Sequence, residues 1–267
     1  MTALERKLED LEGSERISKE QAGFYRRLFK IQAEYRKNLE KESLFQAPKS
    51  LSEMIKKGLP VVKFGKVKID ETCLKSIFKD VCQLFSNFNS QKIEGLDIKE
   101  LIEKVILDEK DYLERLSNKL KIDKGLLFFV SINTVRPIFE TVACKLRDSI
   151  DEKLWFRNYC PVCGSKPLFA RLKKEEGKKV LQCAICNTEW QFSRIKCVWC
   201  GTEDPKDLRF FWADEPYRVD VCDKCKGYIK TLDERKILDD REIIPQIEDL
   251  ATTYLDILAV KEGYHRL

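Results

Sequence analysis

The stretch YCPVCGSKPLFARLKKEEGKKVLQCAICNTEWQFSRIKCVWCGTEDPKDLRFFWADEPYRVDVCDKCKGYIK, Tyr159 to Lys230, decides the reading of the chain, because eight cysteines fall within it as four CxxC pairs. The pairs are Cys160 with Cys163, Cys183 with Cys186, Cys197 with Cys200, and Cys222 with Cys225. A two-residue gap lets both sulfurs of a pair converge on one ion at about 2.3 Å, and a second pair completes a tetrahedral set. All eight are therefore the expected ligands of two metal ions, Zn²⁺ ahead of Fe, which also occupies tetrahedral sulfur sites. Four sulfurs per ion leave no open coordination position, so the expected role of each site is structural.

Nineteen residues separate the first two pairs, ten the second and third, and twenty-one the third and fourth. The long gaps read as hairpins: LFARL and KVLQ flank Lys173 to Gly177, and LRFFWA and YRVDV flank Asp214 to Pro216. CPVCG and CVWCG open the two halves, which makes the segment a duplicated unit with a period of about forty residues. Duplication favours sequential pairing, with Cys160, Cys163, Cys183 and Cys186 around one ion and the other four around the second. A cross-braced arrangement, first pair with third and second with fourth, stays open at this point.

Working toward the N-terminus, apolar residues repeat at helical spacing. Phe24, Leu28, Ile31, Tyr35 and Leu39 predict an amphipathic helix between Ile17 and Glu42. LPVVKFGKV, after Gly58, reads as a short extended segment or an ordered linker. Helical spacing resumes from Leu74 through Phe88 with Asp70 as N-cap, again from Leu101 to Ile106 after Asp97, and around Tyr112 to Leu120. Asp123 caps a more apolar helix through Leu146, expected to be central and to bend or break near Arg136 and Pro137.

Composition bounds the function. With 267 residues, 43% hydrophobic and 36% charged, the chain is globular and long enough for two domains. A net charge of +5 with the signs interleaved, as in RLKKEEGKK, gives little long-range attraction to nucleic acid. The N-terminus has no apolar run behind its basic residues, and the longest such run, Leu126 to Val130, is too short for a membrane. A cytoplasmic protein without a membrane partner is expected, in which cysteines serve as metal ligands rather than disulfides. Cys73, Cys82 and Cys144 lie in helical patterns and read as buried core residues. His265 is the single histidine, so Ser-His, Cys-His and His-metal schemes lack their usual base and no enzyme is expected. Among the aromatics near the cysteines, Trp199, set between two ligands, is the one expected to be exposed.

The residues around the cysteines carry a more specific signal. YCPVCGSKP, CAICNTEW, RIKCVWCG and CDKCKGYIK, in that order, resemble successive motifs of the formate dehydrogenase accessory protein (FdhE) family. DLATTYLDILAVKEGYHR, Asp249 to Arg266, resembles its closing helix, and RPIFE, Arg136 to Glu140, its last N-terminal helix. Other members often continue past the pair matching Gly263 and Tyr264, whereas this sequence ends at Leu267. The resemblance implies a cytoplasmic, non-enzymatic maturation factor that binds the catalytic subunit of a molybdenum-containing formate dehydrogenase. It also implies rubredoxin-like centres, which keeps iron open.

The expected fold is α+β. An all-helical domain over residues 1–150 precedes a tandem zinc-ribbon or rubredoxin-like double-metal domain over 151–232 and a C-terminal helical segment over 233–267. Two other functions fit parts of the sequence. A nucleic-acid-binding ribbon protein would contact phosphates through Arg171, Lys173, Lys174, Lys178 and Lys179. A rubredoxin-like electron carrier would require iron. The sequence does not specify an oligomeric state.

Overall fold

The computed structural model describes residues 3–85, 93–150, 155–238 and 242–266. An amphipathic helix that the sequence reading omits comes first: α1 (Ala3–Gly13) buries Leu8 in a small core with Ile17 and Ala22 and with Ile247 and Leu250 from the far end of the chain. α2 (Lys19–Leu39) starts at a capping box, in which Gln21 N–H donates to Ser18 Oγ and Ser18 N–H donates to Gln21 Oε1. After the short α3 (Leu51–Lys57), LPVVKFGKV is an ordered connection without a strand, whose Phe64–Lys66 form a single 3-10 turn. The Val61 and Val62 N–H groups donate to the Pro161 and Val162 carbonyls at 3.0 and 2.8 Å, which joins this segment to the first CxxC turn.

The residues read from sequence as preceding helices act as caps. Asp70 accepts from Cys73 N–H at the start of α4 (Glu71–Cys82), and Asp97 from Glu100 N–H at the start of α5 (Ile98–Ile106). α4 ends earlier than its apolar spacing suggests: Leu84 and Phe85 pack from the turn beyond it, and Phe88 lies outside the described residues. α6 (Lys110–Leu120) leads to α7 (Lys124–Leu146), capped by Asp123 and surrounded by α2, α4, α5 and α6.

The expected interruption of α7 is absent: the helix runs unbroken through Pro137. Proline deprives the carbonyl four residues back of its donor. That carbonyl, Asn133 O, accepts instead from Gln32 Nε2 on α2 at 3.1 Å. By length and composition α7 could cross a membrane, yet 67% of its apolar window is buried against the rest of the protein.

Six strands form one sheet in the order β3-β2-β1-β6-β5-β4. Both expected hairpins are present, β1 (Pro167–Leu172) with β2 (Lys179–Cys183) and β4 (Leu208–Asp214) with β5 (Tyr217–Cys222). Each gains a third antiparallel strand, β3 (Glu189–Phe192) or β6 (Tyr228–Asp233). The two three-stranded units join where β1 runs parallel to β6. The architecture is the α+β arrangement with tandem zinc-ribbon-like units that the sequence implies. One hydrophobic cluster continues from Leu28, Phe78 and Phe139 of the helices into Trp155, Val162 and Trp190 of the first unit. The second unit packs on the C-terminal helices through Val219, Leu232 and Leu255, joined by Phe169 of β1.

The closing segment is two helices rather than one, α8 (Pro245–Ala251) and α9 (Thr253–Lys261), divided at buried Thr252. Lys230 of β6, 1% exposed, fixes them to the sheet. Its ammonium reaches the carboxylates of Asp249 at 2.9 Å and Asp256 at 2.6 Å and donates to the Asp249 carbonyl at 2.7 Å. Arg266 adds a second cation, 2.6 Å from Asp249. Burial alone would raise the Asp249 carboxyl, but the Arg266 and Lys230 charges hold it below its ordinary value.

Removing one member of such a cluster strands the others. Lys230→Met is expected to destabilise the fold by about 3–5 kcal/mol in denaturant titration. A lowered carboxyl stabilises the fold above its ordinary titration range and loses that contribution as pH falls through the folded value. The thermal midpoint should therefore fall more steeply below about pH 4 for the unmodified chain than for Asp249→Asn. Parallel pH profiles would refute this.

Candidate metal centre

Each CxxC pair sits in the same closed turn. The N–H of the first cysteine donates to the carbonyl five residues on: Cys160 to Ser165, Cys183 to Thr188, Cys197 to Thr202 and Cys222 to Gly227, all at 2.8–2.9 Å. The residue after the second cysteine always takes the left-handed conformation, with φ of 76° at Gly164, 58° at Asn187, 74° at Gly201 and 57° at Lys226. Glycine adopts it without cost and asparagine with little, whereas lysine is strained there. The turn also aims N–H groups at sulfur: Ile185 and Cys186 point at Cys183 Sγ at 3.3 and 3.4 Å, and Trp199 at Cys197 Sγ at 3.4 Å.

The structure brings the pairs together sequentially. Cys160, Cys163, Cys183 and Cys186 form one group and Cys197, Cys200, Cys222 and Cys225 the other, with all sulfurs of a group within 4.8 Å. Tetrahedral thiolates around Zn²⁺ stand about 3.8 Å apart, as follows from the 2.3 Å bond length. In the first group Cys160 and Cys186 are 3.4 Å apart, and Cys163 is 3.3 Å from Cys183 and 3.6 Å from Cys186. In the second, Cys197–Cys225 and Cys200–Cys222 are both 3.7 Å. The donor set thus fits a small thiophilic cation, and the two groups could hold two metal ions.

Burial pushes the Cys160 and Cys186 thiols well above their ordinary value. Cys163 is held well below it, because hydrogen bonds from Cys160, Cys183 and Cys186 outweigh burial. Four such sulfurs cannot all carry charge without a cation between them, which is the electrostatic reason a metal would close the site. Cys197 in the second group is likewise raised by burial.

Neighbouring elements grip the first group from both sides. Arg136 and Glu140 of α7 straddle the second turn: Arg136 Nη2 donates to the Ala184 carbonyl at 2.7 Å, and Asn187 Nδ2 donates to Glu140 at 2.5 Å. Tyr159 Oη donates to the Gly58 carbonyl, and the Trp190 indole donates to the Arg157 carbonyl. All four cysteines of this group are buried. In the second group Cys200 is exposed and Cys225 half-buried. Both four-cysteine groups share one geometry, but only one is sealed.

Other expectations meet mixed outcomes. Cys82 is buried and Cys73 half-buried, but Cys144 is exposed. His265 is exposed. Trp199 is half-buried, and its indole donates to the Tyr228 carbonyl at 3.0 Å. Phe210 and Trp212, alternate residues of edge strand β4 that point to one face, are exposed, as is Phe156 just before the first CxxC pair. Of the cations offered for phosphate contact, Arg171 pairs with Glu189 and Glu234, Lys173 with the same two, Lys178 with Glu176 and Lys179 with Asp220. Arg171 and Lys179 are buried in their pairs, whereas the Lys178–Glu176 pair lies at the surface.

Comparison with known proteins agrees with this layout. Residues 159–194 match the family model described as FdhE, central domain, and residues 195–267 match FdhE, C-terminal domain. An FdhE homolog of Aquifex aeolicus is 32% identical over 222 residues, covering 80% of this chain and 75% of that protein. The FdhE protein of Escherichia coli K12 is 36% identical over 115 residues, which are 41% of this chain and 36% of that protein. The crystal structure of the FdhE protein from Pseudomonas aeruginosa superposes with a TM-score of 0.65, covering 99% of this chain and 92% of that one, at 17% identity. At that identity the superposition speaks for the fold.

Exposure should order the reactivity of the two groups. A competing chelator is expected to remove metal in two phases, and alkylation mapped by mass spectrometry should reach Cys144 first, then Cys200 and Cys225, and the first group last. Equal rates for both groups would contradict this. The turns can be tested separately. A Cβ on Gly164 would meet Pro60 Cγ at 3.0 Å, whereas one on Gly201 meets only Lys196 Cε at 3.7 Å. Both alanine variants carry left-handed strain of about 1–2 kcal/mol, so Gly164→Ala should lower the thermal midpoint more than Gly201→Ala.

Proposed function

The chain belongs to the FdhE family, and from that premise we propose that it is a cytoplasmic accessory protein of formate dehydrogenase that binds the molybdenum-containing catalytic subunit and assists its assembly or activation. The observation that carries the reading is the unbroken match from residue 159 to 267, which spans both four-cysteine groups and the closing helices. The eight cysteines are its metal ligands. Four sulfurs for each ion leave no position for substrate, in keeping with a scaffolding role. Zn²⁺ is the ion proposed for both sites. The helical part (1–150), the metal-binding part (151–232) and the closing segment (233–267) would present a single surface to the client, since one hydrophobic cluster unites the first two.

A second reading, a rubredoxin-like electron carrier, gains from the exposure of Cys200, which would bring one ligand of a bound iron to solvent. One preparation tests both. Protein purified without added metal should contain two colourless zinc ions per chain and should retain the catalytic subunit on co-purification, while Cys183→Ser with Cys186→Ser should lose one ion and weaken retention. Two results would overturn the accessory reading: no association of the unmodified chain, or full formate dehydrogenase activity in a strain lacking it. Iron with a reversible visible spectrum would favour the carrier.

A further inference from the structure

The fourth CxxC turn differs from the other three in what holds it. Pro161 and Val162 of the first turn accept from the connection at Val61 and Val62, Arg136 and Glu140 of α7 grip the second, and Asn158 Nδ2 donates to the Trp199 carbonyl of the third at 3.1 Å. The fourth has one such bond, from the Asp223 N–H to the Asp207 carbonyl at 2.8 Å, and is otherwise gripped by the residues that follow α9. His265 forms an isolated parallel bridge with Gly227. Its N–H donates to the Lys226 carbonyl at 2.8 Å, and its carbonyl accepts from the Tyr228 N–H at 3.2 Å.

Tyr264 holds the same turn through its side chain. The hydroxyl donates at 2.8 Å to the carboxylate of Asp223, which lies between the two cysteines, and accepts from Arg209 Nη2 at 3.0 Å. Arg209 and Lys226 both pair with Asp223, at 2.5 and 3.0 Å, and the Lys226 ammonium stands 5.4 Å from the centre of the Tyr264 ring. Arg266 then ties the segment to Asp249 and to the Leu168 carbonyl of β1.

These contacts meet a specific need. Lys226 leaves the turn with φ of 57°, a left-handed conformation that costs a residue with a Cβ about 1–2 kcal/mol. The other three turns exit through glycine or asparagine, which bear it more easily. At Lys226 the backbone is held by His265, and the side chain by Asp223 and the Tyr264 ring. A residue kept in such a conformation by its surroundings relaxes when they withdraw. Withdrawal here is local, because Tyr264 is the one buried side chain of residues 263–266, and an opening that bares little apolar surface costs far less than unfolding. Cys200 is exposed and Cys225 half-buried, so the sulfurs of this group are already near water when the turn loosens.

We propose that residues 264–266 are a latch on the second metal centre: docked, they hold the fourth CxxC turn in its ligating conformation, and withdrawn, they free Cys225 and let the ion pass to a competing ligand. The second centre is then the exchangeable one and the first the permanent one. Retention in the second centre is set by the latch and not by the exposure of its sulfurs alone. The inference rests on the eight cysteines being metal ligands and is independent of the formate dehydrogenase assignment.

The full-length, zinc-loaded chain, challenged with an excess of a chromogenic chelator and alkylated at intervals for mapping by mass spectrometry, tests it. Tyr264→Ala should speed release from the group of Cys197, Cys200, Cys222 and Cys225 about tenfold or more, as expected for the loss of hydrogen bonds to charged groups. Release from the other group should not change. His265→Pro, which lacks the donor to Lys226, should act in the same way, whereas His265→Ala, which keeps both backbone bonds, should behave as the unmodified chain. Tyr264→Phe keeps the ring and loses the hydroxyl, so its rate should fall between those of the unmodified chain and Tyr264→Ala; with His265→Pro it carries the test if the alanine variant does not fold. Val219→Ala, in the core of the same unit, should lower the thermal midpoint and leave the release rate unchanged, which separates the latch from general stability. The latch is overturned by equal acceleration at both groups, by no acceleration in Tyr264→Phe and His265→Pro, by His265→Ala matching His265→Pro, or by Val219→Ala matching the Tyr264 variants. An unmodified chain that retains no metal would overturn the metal centres together with the latch, and leaves the accessory reading to its own co-purification test.

Discussion

Four sulfur atoms held within 4.8 Å of one another are the constraint on which the remainder of this structure rests. Thiolates at that separation repel strongly in a buried, low-dielectric setting, so the group is stable as an ionised set only around a cation. The backbone meets the demand with one device used four times, a turn that returns a hydrogen bond from the first cysteine to the residue five places on and exits through a left-handed residue. Strands β2 and β5 each end on a cysteine of a group, Cys183 and Cys222, so the sheet is anchored by the same sulfurs.

The helical part uses the first group as its floor. The connection at Val61 and Val62 bonds to one turn, and α7 grips the other through Arg136 and Glu140. Trp155 and Trp190, both fully buried, fill the space between. The second group stands further from this core, and its unit is held on the closing helices by a separate apolar cluster, to which the ionic cluster of Lys230, Asp249, Asp256 and Arg266 adds. One four-cysteine unit is thus fastened to the helical part, and the other to the closing helices by an apolar cluster with a buried ionic cluster beside it.

What the sequence reveals is what local chemistry determines. The cysteine spacing, the hairpins and the caps at Asp70, Asp97 and Asp123 are each set within a few residues, and so they are legible. Gly164 and Gly201 announce the left-handed exit of their turns, and Asn187 hints at it, whereas Lys226 conceals it. Features fixed by distant partners escape. Pro137 reads as a break because the donor that rescues its helix, Gln32, lies 101 residues from Asn133. Trp199 reads as exposed because the carbonyl that shelters it belongs to Tyr228. β3 is only four residues long and leaves hardly any periodicity to detect. Cys144 belongs to an apolar helix yet points away from its packed side, which spacing alone does not disclose. Arg136 and Glu140 stand out in the sequence only through the family resemblance, and their purpose needs the fold.

The parallel contact of β1 with β6 gives the duplicated segment a particular symmetry. Strand order carries β3, β2 and β1 onto β6, β5 and β4 by a shift along the sheet rather than by a rotation that would turn one unit to face the other. A shifted repeat does not close on itself: the outer edge of β4 corresponds to the edge by which β1 captures β6, and it has no third unit to capture. Left bare, that edge would invite strands from other molecules. It carries Arg209, and its pairing is bent by an irregularity between Trp212 and Asp214, both of which discourage a new neighbour. The tandem is in effect a polymer terminated at two units, and its last strand bears the stop signal.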